Sequence, residues 1–175
     1  RFKDYANGEI GDDGIHDIDM ARWGLGNQLL PKKVAARGGR MLLHGHSSDY
    51  PDNMVVSYEY PDGKVLVYEN YPFTEYGLHG FDNGNAFYGT KGWMSLSKRG
   101  ILEIYDERNR PMEVPDERPS MPNHRENFVR AIRDGDKPRG HIEIGHLSSS
   151  LCHLANMSIR LGRSLHFDAE NESFS

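Results

Sequence analysis

The chain has 175 residues, of which 37% are hydrophobic and 27% charged, with a net charge of −5 and a mean hydropathy of −0.72. That length suits one domain, residues 1–175, whose thin core gains from burying a face against a second domain or subunit. The acidic balance argues against a nucleic-acid binder, no apolar run approaches the roughly 18 residues that span a bilayer, and a lone cysteine, Cys152, excludes an intrachain disulfide.

Residues Arg1 to Gly11 are polar and glycine-containing and read as a linker or entry loop. A helix follows, beginning near Asp12 and stopping at Gly24-Leu25-Gly26, with Pro31 beyond it. At about 100° per residue, Asp12, His16, Asp19 and Trp23 share one arc, while Ile18, Ala21 and Leu25 lie opposite. A histidine with aspartates at i−4 and i+3 can bind a hydroxyl and handle its proton, the carboxylates orienting the ring. The simpler account is that Asp12 or Asp13 caps the helix and Trp23 packs.

The middle of the chain is β-rich. Val34 to Leu43 reads as one strand. Met54–Tyr60 and Lys64–Tyr71 flank Pro61-Asp62-Gly63, where proline presets φ and glycine takes the left-handed position, so they form a hairpin. Ala86–Gly89 and Trp93–Lys98 flank Thr90-Lys91-Gly92; a strand rather than a helix follows that turn, so a second hairpin is favoured over a phosphate cradle. Ile101–Tyr105 adds a strand, and short turns between successive strands favour antiparallel pairing.

A proline-rich loop, Pro111 to Pro122, leads into a helix from Pro122 to Arg133 with Phe128, Ala131 and Ile132 facing inward. The longest helix runs from Ile142 to Leu161. Its stripe is Ile144, Leu147, Leu151, Leu154, Ser158 and Leu161, and Ser148, Ser149, Ser150 and Ala155 are small enough to admit a close neighbour. Cys152 belongs to this apolar stretch, which disfavours a nucleophilic role. Ser164–Phe167 is a last strand. The pattern predicts an α+β fold: an open, mainly antiparallel β-sheet with helices packed on one face.

Three further groups invite a chemical reading. His44-Gly45-His46, after Gly38, resembles the first metal motif of cupin barrels, but the following glutamate and the second block are missing. Glu143 and His146 stand at i, i+3, once only, where di-metal bundles repeat the pattern. Tyr68, Tyr71, Phe73, Tyr76 and His79 form an aromatic run that can stack on a sugar ring or pack a sheet face. Tyr71 and His79 are its site candidates.

The segment Asp12…His16…Asp19…Arg22-Trp23-Gly24-Leu25-Gly26 resembles the start of the C-terminal domain of the Gfo/Idh/MocA family of oxidoreductases. Asn123-His124-Arg125-Glu126-Asn127-Phe128, Glu143-Ile144-Gly145-His146, Cys152-His153-Leu154-Ala155-Asn156 and Leu161-Gly162-Arg163 resemble a bacterial subgroup of it. Two family features are absent: a strand followed by G-x-G-x-x-G, and the Glu-Lys-Pro segment that carries the family's lysine, for which Pro31-Lys32-Lys33 is no substitute.

The resemblance implies the substrate-binding and oligomerisation half of an NAD(P)-dependent oxidoreductase acting on a sugar, sugar derivative or cyclitol. His16 then binds or deprotonates the hydroxyl, Asp12 orients His16, and Asp19 binds a neighbouring hydroxyl. Tyr71, His79 and His146 are further substrate-side candidates. NAD or NADP is expected in the full-length enzyme and neither on this chain alone, with no metal. The expected partners are a Rossmann domain and further copies of the chain, through the free sheet face, in the cytoplasm or the periplasm. Two alternatives stay open: a non-catalytic interaction domain, and a small metal-binding β-barrel enzyme built on His44 and His46.

Overall fold

A computed structural model describes residues 4–26, 29–42, 45, 48–73, 77–114 and 123–174. Two helices come first, α1 (Gly8–Asp12) and α2 (Gly14–Leu25). The strands β1 (Lys33–Gly39), β2 (Asn53–Glu59), β3 (Val65–Asn70), β4 (Gly84–Gly89), β5 (Gly92–Ser97) and β6 (Leu102–Asp106) follow. The chain then forms α3 (His124–Asp134), α4 (Ile142–Leu161), β7 (Leu165–Asp168) and β8 (Ser173–Phe174). The fold is α+β, as the sequence pattern predicts, and its strand pairs are antiparallel. The expected sheet is divided: one has the order β3-β2-β1-β7-β8, the other β4-β5-β6.

Strict alternation builds the larger sheet. Met54, Val56 and Tyr58 of β2 turn inward with Val34 and Ala36 of β1 and Leu66 of β3, while Val55, Val65 and Val67 face solvent. Gly63, at φ 86°, closes the β2–β3 hairpin. Helix α4 lies across the inward face and supplies Leu151, Cys152, Leu154 and Ala155 to one core with Ile10 and Ile18. Two polar ties fix it there. Tyr58 Oη donates to the Leu151 carbonyl at 3.0 Å, and Ser158 Oγ accepts from the Ala36 amide at 3.0 Å. Burial pushes the Cys152 thiol up to about 12, consistent with a packing role.

Several expectations are corrected. The stretch expected as a linker contains α1, and Ile10 within it is fully buried. The first long strand stops at Gly39 because the Asp52 carboxylate takes the next amides, Met41 and Leu42 (each 2.8 Å), and curls the chain away. Trp23 does not pack; it is 64% exposed. Phe128 and Ile132 of α3 point outward, at 61% and 69% exposure, because no described element lies along that apolar stripe. Leu161, in the last turn of α4, is also exposed. Strand β8 pairs with β7 and carries no strong signal in so short a segment. Among the described residues, no helix is long and apolar enough to cross a membrane.

Candidate functional site at the joint of the first two helices

Asp13 breaks the expected single helix in two. It ends α1 and precedes α2, with φ −89° and ψ −40°, and its side chain makes no capping hydrogen bond. Asp12 is the last residue of α1 and His16 lies in the first turn of α2. Both are exposed. No hydrogen bond or ion pair joins them among the described residues, so the sequence spacing brings them to one short joint without coupling them directly.

The joint is gripped from behind. A Cβ on Gly14 would run into the phenol of Tyr68 on β3, so only glycine lets α2 start this close to the sheet. Gly24, near the other end of α2, meets Phe87 of β4 in the same way. Lys98, just after β5, closes the site with its Nζ at 2.8 Å from Asp13 Oδ2 and 3.1 Å from Asp17 Oδ2. Burial pushes the Asp17 carboxyl up against the pull of Lys98. Burial opposes the Lys98 ammonium, yet its bonds to Asp13 and Asp17 win and raise its pKa. Tyr68 is pushed up by burial and then by the negative charges of Asp17 and Glu9.

The other candidates are placed as follows. Asp19 accepts from Ser148 Oγ at 2.5 Å and stands 3.5 Å from Arg22 Nη1, which itself donates to Ser148 Oγ at 2.7 Å. Asp19 thus helps seat α2 on α4. Tyr71 packs its edge on Phe73, with ring centroids 6.0 Å apart. His79 stacks on Trp93 at 4.2 Å and shares a 2.7 Å hydrogen bond between its Nε2 and Tyr88 Oη; Trp93 stacks in turn on Tyr105 at 4.3 Å. His146 Nε2 pairs with Glu172 Oε1 at 2.7 Å, beside β8. No hydrogen bond, ion pair or ring contact links Tyr71, His79 or His146 to Asp12 or His16 among the described residues.

Lys98 and Asp17 escape sequence reasoning, and Tyr68 stands in the aromatic run without being one of its site candidates. Only Gly14, two residues before His16, signals a close approach there. No group of three or more histidines, cysteines or acids that could hold a metal occurs among the described residues. His44, His46 and Tyr76 lie outside the described residues.

Comparison with known proteins places this joint in a family context. The model of the GFO/IDH/MocA C-terminal domain matches residues 1–95, which include α1, α2 and the first hairpin. No curated protein matches the chain. Among solved structures, an NAD-binding protein from Listeria innocua is similar over 91% of this chain and 47% of its own, with 18% identity and a TM-score of 0.69. An aldose–aldose oxidoreductase from Caulobacter crescentus, complexed with glycerol, is similar over 91% of this chain and 48% of its own, with 18% identity and a TM-score of 0.67. A myo-inositol dehydrogenase from Corynebacterium glutamicum is similar over 96% of this chain and 53% of its own, with 20% identity and a TM-score of 0.56. The chain therefore spans about half the length of these structures.

Proposed function

Because the chain belongs to the GFO/IDH/MocA C-terminal domain family, we propose that it is the substrate-binding half of an NAD(P)-dependent oxidoreductase acting on a hydroxyl of a sugar, sugar derivative or cyclitol. The observation that carries this reading is the α1–α2 joint, where exposed Asp12 and His16 stand on a backbone braced by Tyr68 and Lys98. A ring nitrogen of His16 hydrogen-bonds the substrate hydroxyl and takes its proton. Asp12, at the end of α1, orients the imidazole once substrate is seated. Asp19 offers a carboxylate oxygen to a neighbouring hydroxyl while Ser148 holds the group in place. The similar structures from Caulobacter and Corynebacterium, an aldose oxidoreductase and an inositol dehydrogenase, support a polyol as the substrate class.

The residues of this chain do not fit a dinucleotide. Its strand pairs are antiparallel, whereas a dinucleotide sits at the crevice of a parallel sheet on a glycine-rich strand–turn–helix, and the sequence has no such motif. The cofactor is therefore assigned to another domain, and this chain supplies substrate binding and proton transfer. The test compares the 175-residue chain with a polypeptide that joins it to a nucleotide-binding domain, using aldoses and cyclitols as substrates. NADH or NADPH is expected only from the joined protein, and turnover by the chain alone overturns the assignment.

The outward face of the larger sheet is proposed as the contact between copies of the chain. Exposed Val55 and Val67 share it with a shallow hollow of about 320 Å³ whose outward-facing lining is Ala35, Arg37, Val55 and Ser57. The exposed valines on this face, Val55, Val65 and Val67, gain by being covered. Sedimentation of the chain is expected to show an oligomer that Val55→Glu with Val67→Glu dissociates; a strict monomer at high concentration counts against it.

A further inference from the structure

Lys98 occupies a fixed position. The turn that carries it is closed by the Ser97 amide bonding the Ile101 carbonyl at 2.9 Å and the Gly100 amide bonding the Ser97 carbonyl at 3.0 Å. From there its ammonium holds two carboxylates one helical turn apart, Asp13 and Asp17. Exposed ion pairs contribute little, but the Lys98 side chain is only 20% exposed and that of Asp17 only 15%. The second oxygen of Asp17 is buried and makes no hydrogen bond in the structure, so this carboxylate is committed to the fold and depends on its cation.

Each acid held by Lys98 is the sequence neighbour of a proposed substrate residue: Asp13 follows Asp12 and Asp17 follows His16. Tyr68 blocks the joint at Gly14, between the two acids. The backbone of residues 12–17 is thus clamped by a lysine from the smaller sheet and a tyrosine from the larger one. No hydrogen bond or ion pair joins Lys98 to Asp12 or His16 among the described residues; its ammonium is held by Asp13 and Asp17.

We propose that Lys98 is a positioning residue of the substrate site: by holding Asp13 and Asp17 it sets the geometry in which Asp12 and His16 meet a polyol hydroxyl. This inference rests on the reading of Asp12 and His16 given above. It makes the smaller sheet part of the site, since a residue of the β5–β6 turn fixes the first turn of α2.

The test is NMR on the 175-residue chain, reading the imidazole signals of His16, assigned by their loss in His16→Gln, and the backbone amides of residues 12–17. Lys98→Met is expected to shift both sets, and Lys98→Arg, which can span the same two carboxylates, to return them toward the wild-type positions. Lys33→Met, which breaks the exposed pair with Glu59, is the control and moves neither set. A folded Lys98→Met protein whose His16 signals superimpose on wild type overturns the proposal. If Lys98→Met does not fold, Asp13→Asn cuts the more exposed arm alone, and the same two outcomes apply. Full turnover of the joined enzyme carrying His16→Gln removes the functional reading instead, and leaves the effect of Lys98 on the joint standing.

Discussion

Truncating Tyr58 to alanine is expected to destabilise the chain by roughly 3–5 kcal/mol, the scale for removing a buried aromatic ring. Tyr58 is fully buried on β2, between β1 and β3, paired across the strands with Val34 and Leu66. Its hydroxyl ties β2 to α4 through the Leu151 carbonyl. Burial holds that hydroxyl well above the ordinary tyrosine range, which favours its protonated, donating form. Tyr58→Phe keeps the ring and loses only the bond, about 1 kcal/mol. Urea unfolding separates the two. A cost near zero for the alanine variant would mean that α4 does not pack on this sheet as described.

The second large effect is functional. In the oxidoreductase formed with a nucleotide-binding domain, His16→Gln is expected to lower kcat by roughly 10²–10⁴-fold, the usual contribution of a positioned general base. Glutamine can still hydrogen-bond a hydroxyl but cannot take its proton, so KM for the polyol should change far less than kcat. Asp12→Asn should cost less, since Asp12 acts on the ring and not on the substrate. The absence of a bond between Asp12 and His16 is no objection, because such contacts often close only when substrate is bound.

Much of this arrangement is legible before any coordinates. Alternation in Met54–Tyr60 and a turn at Pro61-Asp62-Gly63 are local signals, and the hairpin follows them. The stripe on α4 is equally local, and Leu151, Leu154 and Ser158 are buried as it requires. The same rule misleads at α3, where Phe128 and Ile132 form a true apolar stripe with nothing described beneath it. Periodicity reports which face wants cover; it cannot report whether a neighbour arrives. The site divides similarly. Asp12 and His16 lie in one segment and their spacing is visible. Lys98 reaches Asp13 across 85 residues of sequence, and Tyr68 reaches Gly14 across the sheet, so neither announces itself. Asp19 and Arg22 look like one more acid and base on a helix surface, yet Ser148 draws both into the contact between α2 and α4.

The most direct test of the central claim measures two quantities on the same joined enzyme, wild type and His16→Gln: cofactor affinity, and the single-turnover rate of reduced cofactor formation at saturating polyol. If this chain handles substrate and its proton while the cofactor is held elsewhere, affinity is unchanged and the rate falls by roughly 10²-fold or more. Equal rates, or a loss of cofactor affinity with the rate preserved, would contradict it.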